Sequence, residues 1–254
     1  MATVQSEFGR IEIFEDFVGR EFPLATTASG ADDIAALCNL GVLVVRGEGI
    51  EDGDAGIVPV AGVLSGVSRF TGATGAAGDS MCLGTETNIR IDKIGTIVIE
   101  ARVEMEALTY RRIFIGLCGN YDDNQDEILT GSTDTLTLTA ESDLCGFYFD
   151  SALSEATRWY MPYNGGTTTG ETDASEVVSS VTPVTTEFDI LRLEVDNNGT
   201  ARWYINGVLE QTQVGAISTS VVMSAFTAVT YISNAAPTLD VDYFYVSVNR
   251  DWTK

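Results

Sequence analysis

The stretch LRLEVDNNGTARWYINGVLEQT, residues 191–212, restricts the fold of this chain more than any other. Leu191, Leu193 and Val195 alternate with charged residues, which is the period-two pattern of a strand with one buried face. An Asn-Asn-Gly turn and then Asn206-Gly207 tolerate positive φ, so each predicts a tight reversal of the chain. The stretch therefore predicts a β-meander of three consecutive antiparallel strands.

The rest of the chain combines short alternating segments with polar turns in the same way. Only residues 31–44 begin with a helix-like pattern, and this pattern runs into a strand-like end. The predicted strands are residues 11–17, 41–46, 57–64, 66–70, 89–92, 95–106, 111–118, 135–140, 145–150, 157–163, 176–181, 189–196, 200–205, 208–213, 221–231 and 239–248. Many short strands separated by Gly, Asn, Asp and Thr clusters indicate an all-β sandwich or barrel.

The uniform composition of the chain indicates its domain organisation. The sequence has no composition break, Pro-rich linker or internal repeat, and 254 residues can bury the core of one large β domain. We therefore expect one domain over residues 11–254, preceded by a polar, flexible arm over residues 1–10.

The charge balance excludes several classes of partner. The chain has 14 basic and 37 acidic residues and a formal net charge of −23. Phosphates repel such a surface, so we expect no direct contact with nucleic acid and no docking on anionic membranes. The charge does not exclude carbohydrate, cation or protein partners. Histidine is absent, which removes the usual general base and metal ligand and excludes serine-hydrolase and His-zinc chemistry.

The cysteines and the N-terminus bear on where the protein folds. Cys38, Cys82, Cys118 and Cys145 have no CxxC spacing, so they are either buried thiols or partners in one or two disulfides. The N-terminus lacks a basic segment followed by an apolar one, and no apolar run approaches the ~18 residues of a membrane span. We expect synthesis in a cytoplasm without a signal peptide.

Residues 188–212 and 239–252 carry a family resemblance. FDILRLEVDNNGTARWYINGVLEQT resembles the strand–turn–strand signature of concanavalin A-like and laminin-G-like jelly rolls. LDVDYFYVSVNRDW resembles their terminal strand, which pairs beside the first strand, here residues 11–17. GTIVIEARVEM and RRIFIGLC are similar to their central strands. The resemblance implies a single jelly-roll β-sandwich of two antiparallel sheets.

The resemblance is more specific for fold than for function, since this sandwich occurs in lectins, glucanases, adhesion modules and viral proteins. The chain also resembles virion proteins of tailed phages. Our first expectation is a non-enzymatic structural protein on the outer surface of a phage capsid, where it contacts the major capsid protein or another virion protein. A homo-oligomer is compatible with this role. The acidic charge and the lack of an export signal fit it. The alternative is a lectin-like module that binds host glycans, and the third is a glucanase-like hydrolase.

The glucanase hypothesis requires carboxylates that flank a glycosidic bond. Glucanases that resemble this fold carry an E-x-D-x-x-E row, which this chain lacks. Its nearest rows are Glu100 with Glu104 and Glu106, and Glu187 with Asp189. The first row shares its face with an arginine between the acids, a pattern typical of a solvated outer sheet face. We therefore predict that the protein is not an enzyme.

An acidic loop is a candidate calcium site. Asp122, Asn124 and Asp126 alternate as in the first half of a calcium loop. Glu127 stands where an EF-hand needs Gly, and Thr133 stands where the bidentate Glu should be. The loop is thus either a calcium site of another type or an acidic surface loop without an ion.

An aromatic cluster is the candidate sugar site. Trp159, Tyr160, Tyr163 and Asn164 precede a Gly/Thr-rich loop, and exposed rings beside amide groups would suit a glycan. On a strand, either Trp159 or Tyr160 must point inward, and core packing also explains large aromatic residues in a sandwich. Trp203 shares a face with Ile205 and is assigned to the core.

Overall fold

The computed structural model describes residues 3–7, 9–18, 39–40, 42–47, 56–63, 66–72, 76–121, 125–139, 143–171 and 173–250. These ranges contain strands and two single 3-10 turns, at Ile91–Lys93 and Ala174–Glu176, but no α-helix. The predicted all-β class is confirmed. The helix-like start of residues 31–44 lies mostly outside the described residues.

Nineteen strands are described in these ranges. They are β1 (Thr3–Glu7), β2 (Arg10–Glu15), β3 (Asn39–Leu40), β4 (Leu43–Arg46), β5 (Gly56–Pro59), β6 (Ser68–Thr71), β7 (Ser80–Gly84), β8 (Ile89–Arg90), β9 (Ile94–Glu104), β10 (Arg111–Cys118), β11 (Leu129–Ser132), β12 (Thr135–Leu138), β13 (Leu144–Asp150), β14 (Tyr163–Asn164), β15 (Phe188–Val195), β16 (Ala201–Ile205), β17 (Val208–Gln213), β18 (Val222–Tyr231) and β19 (Thr238–Arg250).

Two antiparallel sheets form the sandwich. The nine-stranded sheet has the order β1-β2-β19-β9-β15-β16-β17, with β6 paired to β19 and β5 to β6. The eight-stranded sheet has the order β14-β13-β10-β18-β7-β4-β3, with β8 paired to β18. Strands β11 and β12 form a separate hairpin. The expected two-sheet sandwich is confirmed.

The chain ends meet in the nine-stranded sheet. Strand β19 pairs with β2 on one side and β9 on the other, as the resemblance implies for a terminal strand. Strand β1 pairs with β2 through Thr3 to Glu7. Half of the expected flexible arm is therefore an edge strand, because its backbone forms hydrogen bonds along β2.

The predicted meander is confirmed. Strand β15 pairs with β16 and β16 pairs with β17. Asn206 and Gly207 have φ of 52° and 80°, so both central residues of the second turn are left-handed, as a type I′ hairpin requires.

Two predicted strands are wrong, and one central strand has no counterpart among the predictions. Residues 157–163 and 176–181 are mostly irregular, with isolated bridges from Tyr160 to Tyr148 and to Val178, and only Tyr163 lies in a strand, β14. Strand β7 lies between β18 and β4 and is fully buried, but its sequence SMCLG has little β-branched content. A strand buried on both faces needs no alternation, so period two does not find it.

Alternating apolar side chains of both sheets meet in one hydrophobic cluster. Ile97, Ile99 and Leu193 are buried while their neighbours on the strands are partly exposed. Trp203 is fully buried, and its Nε1 donates to the Gly146 carbonyl oxygen at 2.8 Å, which ties the two sheets together. The assignment of Trp203 to the core is confirmed.

The outer face of the eight-stranded sheet is covered by the chain itself. Phe226 points outward there, with the ring centroids of Tyr121 and Phe114 at 5.0 and 5.3 Å. The Tyr121 hydroxyl donates to the Val44 carbonyl oxygen. These rings therefore pack against one another on the outer face of the sheet.

The described cysteines are buried. Cys145 has a free thiol, and its burial raises the pKa of that thiol. Cys82 and Cys118 are also fully buried, whereas Cys38 lies outside the described residues. A buried thiol behaves as a small apolar side chain, which agrees with the first of the two cysteine alternatives for Cys145.

A glycine in the covered sheet provides a stability test. A Cβ at Gly116 would lie 2.4 Å from the Cys145 carbonyl oxygen, so Gly116→Ala should destabilise the protein, by roughly 1–3 kcal/mol. Gly62 has φ +80° and no atom within 4 Å of such a Cβ, so Gly62→Ala should cost only backbone strain. Urea unfolding measures both. If Gly116→Ala and Gly62→Ala lowered the free energy of unfolding equally, the close approach of Gly116 to the Cys145 carbonyl oxygen would be contradicted.

Candidate functional site

The row around Glu100 lies on the outer face of the nine-stranded sheet, as predicted. Glu100 accepts hydrogen bonds from the Tyr243 hydroxyl at 2.8 Å and from Arg192 Nη1 at 3.1 Å. Arg102 forms an ion pair with Asp242, and its guanidinium carbon lies 4.0 Å from the centroid of the Phe188 ring. The row is thus a network of hydrogen bonds, ion pairs and a cation–π contact.

Glu104 belongs to the same face. Burial, and then the Asp240 carboxylate opposite it, raise the pKa of Glu104. Arg69 holds Asp240 through two hydrogen bonds of 2.7 and 2.8 Å, so Asp240 is already committed as an acceptor.

The predicted aromatic cluster does not form an exposed sugar platform. Trp159, Tyr160 and Tyr163 are only 0, 1 and 7% exposed, and Asn164 is half-buried. Tyr163 lies against Trp203, with ring centroids 6.1 Å apart. A sugar ring needs an open aromatic face to stack on, so this part of the hypothesis is corrected by the burial of all three rings. Asn164 pairs with Leu144 through β14.

A buried carboxylate explains the orientation of Trp159. Asp189 accepts a hydrogen bond from Trp159 Nε1 at 2.9 Å and another from Asn206 Nδ2 at 2.9 Å. Asn206 Oδ1 accepts in turn from the Ile190 backbone N–H at 2.9 Å. The β16–β17 turn therefore holds Asp189, and Asp189 holds Trp159 between the sheets.

Tyr160 points away from this network and closes the floor of a surface pocket. The pocket has a volume of about 420 Å³. We call it the Tyr160 pocket, and its polar lining residues are Asp134, Ser154, Glu155, Arg158, Tyr160, Asp173 and Ser175. Only Tyr160 among them is buried, whereas Arg158 is half-buried and the others are exposed.

Three turns hold the rim of the pocket together. The β11–β12 turn passes through Thr133, which has φ 54°, and its carbonyl oxygen accepts from the Ser154 backbone N–H at 2.7 Å. The Ser154 hydroxyl donates to Asp134, and the Ala174 backbone N–H donates to the Asp134 carbonyl oxygen at 2.9 Å. The three rim segments thus form one connected hydrogen-bonded unit.

The Tyr160 hydroxyl is an unusual group at the floor. It is buried and has no hydrogen bond of normal geometry within the described part of the chain. Burial raises the pKa of Tyr160 to about 12, with smaller contributions from the Glu155 and Asp134 carboxylates, while the Glu155 backbone N–H acts in the opposite direction. The Tyr160 hydroxyl therefore has only the poorly formed contact with the Glu155 N–H, and a bound acceptor or donor would recover part of the about 1–3 kcal/mol that a badly paired buried polar group costs.

The rim groups have different electrostatic roles. Arg158 pairs with Glu155 at 3.3 Å and donates to the Ser179 carbonyl oxygen at 3.2 Å. Asp134 and Asp173 have no ion-pair partner among the described residues. The pocket therefore presents carboxylate acceptors, serine hydroxyls and one phenol, a set that suits the hydroxyl groups of a small polar ligand.

The sequence pattern pointed to Tyr160 but to none of the rim residues of the pocket. Asp173 is a local capping residue, because it accepts from Ser175 N at 3.0 Å and from Ser175 Oγ at 2.7 Å. The Asp-x-Ser spacing signals such a turn, but it does not reveal that Asp134, some forty residues earlier, lies beside it. The backbone bridge between Thr135 and Asp173 brings the two segments together.

The calcium hypothesis stays a prediction. Asp122 and Asn124 lie outside the described residues. Asp126 is exposed, and its backbone forms an isolated bridge with Asp79. Among the residues with described positions, no three His, Cys, Asp or Glu side chains are grouped to hold a metal ion.

The described segments contain no helix that is long and apolar enough to cross a bilayer.

The strand order and the terminal strand define a concanavalin A-like β-sandwich fold. Its likeness to known proteins lies in structure, since no family model and no curated protein sequence matches the chain. Peanut lectin, solved with a nine-residue peptide, is similar with a TM-score of 0.54 and 10% identity, covering 96% of this chain and 99% of the lectin.

Two further solved structures share the fold. The potassium-bound carbohydrate recognition domain of Emp46p has a TM-score of 0.51 and 11% identity, over 85% of this chain and 92% of that domain. A protein of unknown function from Shewanella oneidensis has a TM-score of 0.57 and 9% identity, over 96% and 89%. At these identities the likeness concerns the fold alone.

The buried carboxylate can be tested by substitution. Asp189→Ala should destabilise the protein by roughly 2–4 kcal/mol, because it leaves the Trp159 indole N–H and the Asn206 amide without their acceptor. Asp189→Asn keeps one acceptor oxygen and should cost less. Denaturant unfolding followed by tryptophan fluorescence measures both changes. An Asp189→Ala variant as stable as the parent would contradict the role assigned to this network.

Proposed function

We propose that this protein is a non-enzymatic, lectin-type module that binds carbohydrate in the Tyr160 pocket. The observation that carries the proposal is the buried Tyr160 hydroxyl, which lacks a good partner and lies beneath a ring of exposed polar side chains. A ligand hydroxyl placed above it would satisfy that group and contact the rim at the same time.

The size and chemistry of the pocket support this function. A volume of about 420 Å³ lies within the ~300–1,000 Å³ typical of small-molecule sites. Hydroxyl-rich ligands need closely spaced acceptors and donors, which Asp134, Ser154 and Ser175 supply along the rim. The interlocked turns keep these groups in place before a ligand arrives, and this limits the entropy lost on binding.

Removing the Tyr160 hydroxyl separates a binding role from a structural one. Tyr160→Phe should weaken binding to the best ligand on a glycan array by roughly tenfold, the loss of about one well-formed hydrogen bond. Its melting temperature should stay the same or rise, because the variant buries one polar group fewer. The two measurements are an array screen with follow-up titration and a thermal melt.

Tyr148→Phe is the matched control. The Tyr148 hydroxyl is also buried, but it donates at 2.8 Å toward both the Leu129 carbonyl oxygen and Asp150 Oδ2. Its loss should cost stability, by about 1–3 kcal/mol, and leave glycan binding unchanged. Parent protein that binds no glycan, or Tyr160→Phe that binds like the parent, would overturn the proposed function.

A role on the outer surface of a phage particle is a second candidate. It is favoured by the outer sheet face, defined as the outward side chains of β2, β6, β9, β15, β16 and β19. Five of the chain's 14 basic residues lie there, namely Arg10, Arg69, Arg102, Arg192 and Arg202. Arginine and aromatic residues are enriched in protein interfaces, and this face combines them on a protein of net charge −23.

The aromatic part of the outer sheet face lies beside the chain ends. Phe14 is 40% exposed, and its ring centroid lies 5.7 Å from that of Tyr243 and 6.3 Å from that of Tyr245. Such a patch suits a protein partner such as a capsid or other virion protein, or a second copy of this chain. Lectin and surface protein are compatible roles, since glycan binding at the loops leaves this face open.

Sedimentation with purified particles tests the second candidate. We expect the protein to co-sediment with particles of the phage that encodes it, and Phe14→Ser to reduce the bound fraction at least severalfold, because truncating an interface aromatic removes packed area. Val184→Ser is the control, since Val184 is an exposed apolar residue outside the strands of this face. An equal loss in both variants, or no association, would contradict a docking role.

A further inference from the structure

The carboxylates of the Tyr160 pocket are unevenly neutralised. Glu155 has its counter-ion in Arg158, and Arg158 also donates to the Ser179 carbonyl oxygen, so this cation is already engaged. Asp134 accepts only from the Ser154 hydroxyl, and Asp173 from Ser175, among the described side-chain partners. Asp134 and Asp173 therefore share one rim without an ion-pair partner among the described residues, since Arg158 in the same pocket is paired with Glu155.

We propose that the Tyr160 pocket selects saccharides that carry a protonated amino group, with Asp134 and Asp173 as the carboxylates that receive the ammonium. This inference rests on the proposed function, since it names the class of glycan for the same pocket. The ammonium donates to the rim while a neighbouring sugar hydroxyl meets the Tyr160 hydroxyl at the floor.

The chemistry of the donor set favours an ammonium over a metal ion. No three acidic side chains are close enough for a metal in the described structure, whereas an ammonium needs only separate acceptors for its three N–H groups. Hydrogen bonds from a cation to a carboxylate are roughly twice as strong as neutral ones. Uronic and sialic acids carry the opposite charge, so the same carboxylates repel them.

The charge of Asp173 is preserved at mildly acidic pH. Hydrogen bonds from the Ser175 hydroxyl and backbone N–H lower the pKa of Asp173, because both stabilise the ionised form. The carboxylate thus stays charged under conditions in which a sugar amine is fully protonated. Binding should persist at pH 5 and weaken as the pH rises above the pKa of the amine.

Calorimetric titration with saccharides of one length tests the selectivity. The probes are the β-1,4-linked trimers of glucosamine, N-acetylglucosamine and glucose, together with a lysine trimer of the same charge as the first. We expect the glucosamine trimer to bind at least tenfold more tightly than either neutral trimer, as one charge-assisted contact would produce. The lysine trimer reports the attraction of the acidic surface as a whole and should bind more weakly.

Variants of the two rim aspartates test whether these carboxylates cause the preference for the glucosamine trimer. Asp173→Asn and Asp134→Asn each keep an acceptor oxygen but remove the charge, and each should reduce the preference for the glucosamine trimer by roughly tenfold. Glu187→Gln changes the net charge equally at an exposed site outside the pocket and should leave the preference unchanged. Thermal melts establish that all three variants are folded.

The outcomes distinguish this inference from the proposed function. Neutral trimers that bind as tightly as glucosamine, with loss in Tyr160→Phe, would overturn the amine selectivity and leave carbohydrate binding intact. A lysine trimer that binds as tightly as the glucosamine trimer, with no effect of Asp173→Asn, would also overturn the selectivity. No binding of any saccharide at millimolar concentration would overturn both.

Discussion

The candidate site depends on the hydrogen bonds that the buried carboxylate of Asp189 accepts. It accepts hydrogen bonds from the Trp159 indole and from the Asn206 amide, so it joins a loop above one sheet to a hairpin turn of the other. A buried carboxylate is costly unless it is well paired, and this cost makes the arrangement specific. Trp159 is held between the sheets, and the next residue, Tyr160, lies at the floor of the pocket, where backbone bridges join it to Tyr148 and Val178.

The two sheets use their outer faces in different ways. Phe226, Tyr121 and Phe114 close the outer face of the eight-stranded sheet from within. The outer sheet face of the nine-stranded sheet carries arginines that pair with carboxylates: Arg192 pairs with Glu194 of its own strand and with Glu100 of the neighbouring strand, and Arg202 pairs with Asp196. The arginines of this face are thus neutralised by neighbouring carboxylates, while Asp134 and Asp173 at the rim of the Tyr160 pocket have no ion-pair partner among the described residues.

The likeness to peanut lectin and to the Emp46p domain concerns the scaffold. In such sandwiches the strands fix positions and the loops carry chemistry, because a loop can change without disturbing the core. Here the loop chemistry is a polar pocket over one buried phenol, and the three rings that could have stacked on a sugar pack inside the protein instead. A pocket of this kind would select by hydrogen bonds and charge more than by stacking.

The sequence alone determined the meander, the faces of β9 and β15 and the Asn206-Gly207 hairpin, because period two and positive-φ turns are local signals. The pairing of the last strand with residues of β2 was implied by the family resemblance and not by any local signal. It also placed Trp203 in the core. Only the tertiary structure decided that β7 is a central strand and that Trp159, Tyr160 and Tyr163 are all buried. The tertiary structure alone also brings Asp134 and Asp173 together at one rim of the pocket. Those outcomes depend on contacts between segments distant along the chain, and no local pattern of residue types encodes such contacts.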